Sequence, residues 1–189
     1  MEIKGMAVNA MREFVLTNFK PRYDEWINSL PDESRKIIGS VTLAHKWYPM
    51  REALIEPLGK VCKLFYNNDK KNGAWQFGRF FVDHDMKKIF KLLFIMGPPS
   101  PAFTLKRAPS IFKTYFNPAE MKLIENSPGK GILQIVEFPD PQEIVEFLIA
   151  GWIEHICEMI GSKSTGLTIT KSMTKGNPVT EYVMTWEVK

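Results

Sequence analysis

Histidine and cysteine are the side chains that most often bind metals or act as nucleophiles, and this chain has three histidines and two cysteines. His45, His84 and His155 lie far apart and share no spacing typical of a metal site. His84 stands between two aspartates on the polar side of a predicted helix, which indicates a solvated surface position. His155 falls at the edge of an apolar helical arc, where it is either a structural histidine or a polar group in a pocket.

The sequence contains no recognisable enzyme motif. Cys62 and Cys157 have no activating neighbour in sequence, so we expect inert, buried thiols. No G-x-S-x-G, P-loop or G-x-G-x-x-G occurs, and the Gly-Lys-Gly at 129–131 falls in a strand–strand turn rather than before a helix. We therefore predict a protein that is not an enzyme. Two cysteines without C-x-x-C also favour a reducing, cytoplasmic setting.

Composition excludes several other classes. The 189 residues carry a net charge of +4, and the basic residues are spread along the chain without a long run, so nucleic acid is not an expected partner. The N-terminus has no apolar signal core, and the longest uncharged stretch is too short to span a membrane. The 13 Phe, 10 Met and 5 Trp supply many bulky apolar side chains, for a tight core or for an apolar cavity.

Hydrophobic periodicity predicts helices first and strands later. A helix beginning near Pro49 should be kinked at Pro57, and the longest amphipathic helix should run from Trp75 to Met96. The apolar side chains along one face of that long helix belong either to the core or to a cavity wall.

The second half predicts two hairpins around a helix. Turn-rich segments at 126–131 and 175–178 join two pairs of short strands. The helix between them should be capped by Asp140, with Pro141 in its first turn and Gly161 at its end. The expected fold class is α+β: one domain over 1–189, with an N-terminal helical half (1–116) packed on a C-terminal ββαββ antiparallel sheet (117–189).

The order of these motifs resembles that of H-NOX domains, which bind haem. The opening "KGMAVNAMREFVLTNFKPRYDEW" is similar to the start of those domains, and "FKLLFIMGPPSPAFTLKRAPSIF" resembles their proximal helix and the R-A-P-S motif that follows it. "GWIEHICEMIGSKSTGLTIT" resembles their late helix and strand. The resemblance spans nearly the whole chain.

The last hairpin resembles a sister group, the vinyl-reductase-type domains, which are related to TRAPP transport subunits. Their C-x3-G-D-x2-C-x-F hairpin, aligned on Gly176, places its two cysteines at Ser172 and Thr180. Its aspartate and aromatic positions are Asn177 and Tyr182. Serine and threonine are poor zinc ligands, so no metal is expected there.

The haem ligands implied by the resemblance are also missing. Counting back from Arg107 reaches Met96 where the proximal histidine is expected, and "LQIVEFPDP" lacks the Tyr, Ser and Arg of the propionate-binding Y-x-S-x-R. We therefore expect no cofactor, and the closest similarity is to an uncharacterised bacterial family without haem or zinc ligands.

The resemblance implies a sensor or binding module with a pocket between the helical half and the sheet. We expect an apolar or amphipathic small molecule there, lipid-like or aromatic, whose binding shifts a conformation that a partner reads. The expected lining residues are Met86, Phe90, Phe94, Met96, Trp152 and His155. The alternatives are a ligand-free adaptor or homodimer of TRAPP-like type, with Phe77 and Phe80 exposed, and, as minor readings, a haem gas sensor or a vinyl-reduction enzyme.

Overall fold

The computed structural model describes residues 1–86, 100–159 and 166–188. The helical part comprises α1 (Gly5–Asn18), α2 (Tyr23–Ser29), α3 (Asp32–Gly39), α4 (Glu56–Phe65), α5 (Lys70–Phe81), α6 (Pro101–Tyr115) and α7 (Glu143–Met159). Short 3-10 turns cover Lys20–Arg22 and Met173–Lys175, and widened π turns cover Arg51–Ile55 and Val82–Met86. No helix of these ranges is long and apolar enough to cross a membrane.

Two antiparallel sheets accompany the helices. The larger sheet has the order β4-β5-β7-β6, from β4 (Glu120–Ser127), β5 (Lys130–Glu137), β6 (Gly166–Lys171) and β7 (Thr180–Thr185). It confirms the predicted α+β class and the ββαββ order around α7. The turns also match, because Gly129 and Gly176 both have the positive φ that glycine adopts most easily.

A smaller sheet was not anticipated. It has the order β2-β1-β3, from β1 (Glu2–Lys4), β2 (Trp47–Pro49) and β3 (Phe116–Asn117). Strands of two or three residues are too short to show an alternating pattern, so periodicity cannot predict them. In this sheet, β1 at the N-terminus pairs with β3, which directly precedes the larger sheet in the chain.

The predicted kink at Pro57 is a widened π turn that lies just before the proline. The five residues before Glu56 form a π turn, and Pro57 lies in the first turn of α4. Proline has no N–H to donate and crowds the preceding turn, so a widened turn accommodates it. The Pro57 carbonyl accepts a hydrogen bond from Trp26 Nε1 at 3.1 Å, which fixes α2 against this junction.

The predicted start of α7 is wrong by a few residues. Asp140 does not cap the helix, which begins at Glu143. Asp140 instead accepts a hydrogen bond from Gln142 Nε2 at 2.8 Å and pairs with Arg51 at 3.0 Å. The predicted cap at Gly161 lies outside the described residues, as does the end of the long helix predicted to reach Met96.

Helices α5 and α7 cross with their backbones in contact. A Cβ atom added to Gly78 of α5 would overlap the carbonyl oxygen of Leu148, and one added to Gly151 of α7 would overlap the carbonyl oxygen of Trp75. Glycine in a helix interior costs about 1 kcal/mol relative to alanine. The contact explains why glycine occupies both positions, since any side chain would push the helices apart.

We expect Gly78→Ala and Gly151→Ala each to lower the free energy of unfolding by about 2–3 kcal/mol, because backbone atoms cannot move aside as a flexible side chain does. Gly59→Ala in α4 is the matched control, since nothing lies within 4 Å of its added Cβ. It should raise the free energy of unfolding by up to about 1 kcal/mol. Urea unfolding of the three variants checks this, and equal effects at Gly59 and Gly78 would contradict the close crossing.

Candidate functional site

An apolar cavity lies where helices α1, α5, α6 and α7 meet the smaller sheet. Its volume is about 10 Å³, roughly the space that one water molecule needs. Ten residues line it: Ile3, Ala7, Leu54, Phe77, Phe81, Tyr115, Phe116, Leu148, Ile149 and Trp152. The lining side chains are apolar apart from the phenol of Tyr115 and the indole N–H of Trp152.

Aromatic rings form much of the cavity wall. The ring of Tyr115 meets Phe81 edge-on, with centroids 5.0 Å apart, and meets Trp152 edge-on at 6.4 Å. Phe77 lies beside Phe81 at 6.2 Å and reaches Phe14 at 5.5 Å. The wall therefore joins α1, α5, α6 and α7 through ring contacts.

The predicted ligand-binding residues do not all fall at this cavity. Trp152 lines it and is 3% exposed. Met86 closes the π turn after α5, and its side chain lies outside the description, as do Phe90, Phe94 and Met96. His155 is not a lining residue. Phe77, predicted to be exposed in the adaptor hypothesis, is buried instead, because α5 packs against both α1 and α7.

His155 belongs to a charged network on the outer side of α5 and α7. Its Nε2 lies 3.1 Å from an Asp83 carboxylate oxygen, and its Nδ1 lies 3.2 Å from Glu158. Arg79 of α5 pairs with Glu158 at 2.6 Å and with Glu154 at 3.0 Å. The network therefore joins α7 to the end of α5 and to the π turn that follows.

The hydrogen bond from Arg79 is the main reason that the pKa of Glu158 lies below its ordinary value of 4.5. The same bond raises the pKa of Arg79. Trp75 contributes a neutral donor, since its Nε1 lies 2.7 Å from a Glu154 oxygen. The arrangement is a structural ion-pair network between helices.

The other two histidines and both cysteines are outside the cavity. His84 is exposed, as predicted, and its ring stacks on Phe80 at 5.7 Å. His45 is exposed on the loop before β2. Burial raises the pKa of the Cys62 thiol to about 11 and that of Cys157 to about 12, so both remain protonated at neutral pH. Within the described ranges, no three His, Cys, Asp or Glu side chains form a group that could hold a metal.

A buried carboxylate lies beneath the last hairpin. Glu146 of α7 is 5% exposed, and its oxygens accept hydrogen bonds from Ser172 Oγ at 2.6 Å, from Thr174 Oγ1 at 3.3 Å and from Thr180 Oγ1. Tyr182 Oη donates to the Glu146 carbonyl oxygen at 3.2 Å. We call Glu146 with Ser172, Thr174 and Thr180 the hairpin clasp.

Two members of the clasp are the residues that the sequence alignment with vinyl-reductase-type hairpins predicts at the cysteine positions. Ser172 and Thr180 are both buried, as ligands of a metal would be, but their hydroxyls bind a carboxylate. Sequence reasoning found these two positions and missed Glu146, because one glutamate on an amphipathic helix is typical of a solvated face. Its burial depends on the hairpin folding back over α7.

A groove of about 440 Å³ runs along β6, which is an edge strand of the larger sheet within the described ranges, beside the starts of α5 and α7. Six consecutive residues, from Leu167 to Ser172, form one wall. The other side includes Lys71, Trp75, Glu143 and Phe147. The groove therefore borders the clasp but is separate from the aromatic cavity.

The fold matches solved H-NOX structures over nearly the whole chain. An H-NOX protein from Shewanella oneidensis, a variant in the Fe(II) state, has a TM-score of 0.76 and 12% sequence identity, with 98% of this chain and 96% of that chain covered. The Fe(II) unliganded H-NOX protein from K. algicida has a TM-score of 0.71 and 12% identity, with 99% and 98% covered. This chain has the H-NOX fold. No family model and no curated protein sequence matches it.

One of the similar structures concerns the redox potential of haem, so haem is the cofactor to compare with the residues of this chain. The described residues do not fit it. The lining of the cavity contains no histidine, cysteine or methionine, and its one tyrosine is Tyr115. Its volume of about 10 Å³ is far below the roughly 300 Å³ or more of typical ligand sites. Segment 87–99, "KKIFKLLFIMGPP", contains Met96 but no histidine, cysteine or tyrosine.

The hairpin clasp predicts a measurable loss of stability on removal of a single hydroxyl. Thr180→Val keeps the shape of the side chain but leaves the buried carboxylate short of a donor, so the free energy of unfolding should fall by about 1–3 kcal/mol. Thr185→Val, at an exposed position of the same strand, is the control and should be nearly neutral. Urea unfolding measures both, and a neutral Thr180→Val would show that the clasp does not stabilise the hairpin.

The ion-pair network predicts how the stability of the protein falls as the pH is lowered. Because the pKa of Glu158 is lower in the folded chain than its ordinary value of 4.5, the stability it contributes is complete above that pH and is lost as the pH falls further. Melting temperatures measured from pH 7 towards pH 3 should therefore fall less steeply for Glu158→Gln than for the wild type. The exposed Glu13 supplies a control, and an equal flattening by Glu13→Gln would contradict a specific role for the network.

Proposed function

We propose that this chain is a haem-independent, non-enzymatic sensor domain that binds an apolar or amphipathic small molecule at the aromatic cavity. The proposal rests on one observation. Helix α7 carries part of the cavity wall (Leu148, Ile149 and Trp152), the carboxylate of the hairpin clasp and three members of the ion-pair network. A change in the shape of the cavity therefore acts on α7, the same helix that binds the last hairpin.

The chemistry of the lining favours an apolar ligand, lipid-like or aromatic. Eight of the ten lining residues have no polar side-chain atom, and none is charged, so a charged ligand would lose its hydration without gaining a charged partner. Tyr115 offers one hydroxyl-bearing side chain at the wall. A cavity of about 10 Å³ must widen before it accepts such a molecule, so binding and conformational change are the same event.

The signal in this proposal is a shift between two packings of α7. The glycine crossing holds α7 against α5 at Gly78 and Gly151, which restricts it to movements about that contact. A ligand that favours the wider cavity then changes the populations of these packings, and a partner protein reads the altered surface. The cytoplasmic location, the homodimer and the vinyl-reductase resemblance stay predictions.

The exposed apolar patch of Phe77 and Phe80, which would support the adaptor hypothesis, is not present. Phe77 is 1% exposed and belongs to the core, and Phe80 packs against Phe14 at 5.2 Å and against His84. We therefore place the ligand-binding hypothesis first.

Native mass spectrometry of the freshly purified protein tests the proposal directly. We expect a discrete extra mass of lipid or aromatic size that is released on denaturation. An extra mass equal to haem would contradict the haem-independent reading. A bare chain, above all as a dimer, together with no binding of the fluorescent fatty acid cis-parinaric acid, would favour the ligand-free adaptor.

Two tryptophans provide a matched pair of variants. Trp152→Ala removes a cavity wall, and Trp26→Ala removes an equally buried tryptophan that does not line the cavity. Both should lose several kcal/mol of stability, on the order of 3–5 kcal/mol. Only Trp152→Ala should weaken binding of cis-parinaric acid, and equal weakening in both folded variants would contradict a site at the cavity.

A further inference from the structure

The loop 40–46 joins α3 to β2 and is fixed to the start of α1 by its backbone. The N–H of Gly5 donates to the carbonyl oxygen of Lys46 at 2.9 Å. The N–H of Met6 donates to the carbonyl oxygen of Ala44 at 3.1 Å. The first N–H groups of a helix have no partner inside it, so these bonds cap α1, which has no side-chain cap. The loop is therefore held in place by groups that every residue type possesses.

The side chains of this loop are placed the opposite way from those of an ordinary surface loop. Thr42 is only 8% exposed, and its hydroxyl accepts a hydrogen bond from Arg12 at 3.3 Å. Its two neighbours, Val41 and Leu43, are 87% and 41% exposed. A single exposed apolar residue is ordinary, but here the polar residue is buried and both apolar neighbours face solvent. The capping role of the backbone does not explain apolar side chains at 41 and 43.

Two half-buried aromatic residues, Trp47 and Tyr48, stand at the base of the loop. Tyr48 Oη accepts a hydrogen bond from the backbone N–H of Leu43 at 2.9 Å. Lys4 Nζ lies over the Trp47 ring, 3.6 Å from its centroid. Tryptophan and tyrosine are enriched where proteins meet the headgroups of a bilayer, because each ring has an apolar body and a polar group. The loop therefore combines exposed aliphatic side chains with amphipathic aromatic ones, as a bilayer interface favours.

Ion pairs neutralise the charged residues that precede and follow the loop. They are Arg35 with Asp32, Lys36 with Glu33, and Arg51 with Asp140. These pairs add no net charge, so the sign of the surface depends on the groups in contact with the loop itself.

The charged groups in contact with the loop are basic. Lys46 belongs to it, and Arg12 donates to one of its carbonyl oxygens at 2.9 Å. Neither has an ion pair within the described ranges, and no carboxylate of those ranges hydrogen-bonds to the loop. Lys4 lies at the loop end of β1 and Glu2 at the far end, while Glu13 follows Arg12 in α1. The contacts of the loop are therefore positive, which favours the phosphates of anionic lipid.

The apolar area of the loop suits a bilayer better than a protein partner. Stable protein interfaces bury about 800 Å² on each partner, from roughly 20 residues or more. The other exposed large apolar residues of the described chain, Ile124, Met159 and Val188, belong to elements other than α1, α3 and β2. Val41 and Leu43 thus form a small projecting tip. A fluid bilayer can surround such a tip, whereas a protein surface has to match its shape.

We propose that the loop 40–46 inserts Val41 and Leu43 into the interface of a bilayer that contains anionic lipid, with Lys46 at the lipid phosphates. Insertion of one short loop gives reversible contact with the membrane rather than anchoring. The loop bonds to the first turn of α1, and Ile3 and Ala7 on either side of that bond line the aromatic cavity. The contact goes beyond the proposed ligand site and does not depend on it.

Sedimentation with vesicles tests the proposal on the whole chain. We expect binding to vesicles of equal parts phosphatidylserine and phosphatidylcholine, and weaker binding in high salt or to phosphatidylcholine alone. The double variant Val41→Ser with Leu43→Ser should bind at least about tenfold more weakly. Ile124→Ser, at an aliphatic residue that is 52% exposed on β4, is the control and should leave binding unchanged.

The charge contribution has its own pair of variants. Lys46→Glu should weaken binding to the mixed vesicles by about tenfold, because it removes a cation and adds an anion at the surface. Lys113→Glu makes the same charge change at an exposed position of α6 and should have little effect.

A fluorescent label tests whether the loop enters the bilayer. Cys62 and Cys157 are buried thiols that remain protonated, so a nitrobenzoxadiazole label reacts with an introduced surface cysteine. The label brightens in apolar surroundings. We expect an increase on addition of mixed vesicles for Val41→Cys and little change for Ile124→Cys.

Each of three results overturns the proposal. Absence of binding to the mixed vesicles would show that the loop is not a membrane contact. Full binding by the Val41→Ser and Leu43→Ser double variant, or equal brightening at Ile124→Cys, would show that the loop does not insert. Self-association that the double variant abolishes, without vesicle binding, would identify the loop as an interface between copies of the chain. A failed ligand test at the aromatic cavity leaves each of these outcomes unaffected.

Discussion

The close crossing of α5 and α7 is the constraint on which the other features depend. Two helices with ordinary side chains at their contact keep their axes 8–10 Å apart, and the glycines at Gly78 and Gly151 allow these two to come closer. The approach brings the Trp75 side of α5 against α7, so that Trp75 reaches Glu154 and Arg79 reaches Glu158. It also turns the aromatic side of α5 towards the cavity, which is small because so little space is left between the backbones.

Helix α7 contacts both the helical half and the sheet half of the molecule, because its faces pack against different elements. One face supplies Trp152 to the aromatic wall, a second supplies the buried Glu146 to the hairpin, and a third carries Glu158 outward to the charged network. A helix buried on several sides must be apolar over most of its surface, and eleven of its seventeen residues are buried. Glu146, Glu154 and Glu158 mark the places where side chains of other elements bind this helix.

The sequence predicted the parts of the fold that have local signals. The hairpin turns at Gly129 and Gly176 and the apolar periodicity of α7 were readable because turn chemistry and helical spacing act over a few residues. Helix α6 was not predicted although Ser100 caps it and Pro101 follows, since a proline-rich stretch indicates the end of the preceding helix as readily as the start of a new one. Burial of Phe77 and Glu146 could not be read locally, because distant segments cover both side chains.

The hairpin clasp also bears on the conditions in which the domain keeps its shape. Cysteine ligands of a metal site lose their metal to chelators and are converted by oxidants to disulfides or sulfenic acids. Hydroxyl and carboxylate oxygens undergo neither reaction, so the contacts of Ser172 and Thr180 with Glu146 need no zinc and are not themselves lost to thiol oxidation. The contact between the last hairpin and α7 therefore depends neither on metal supply nor on the redox state of cysteines, and the hairpin remains attached to α7 in either packing of that helix.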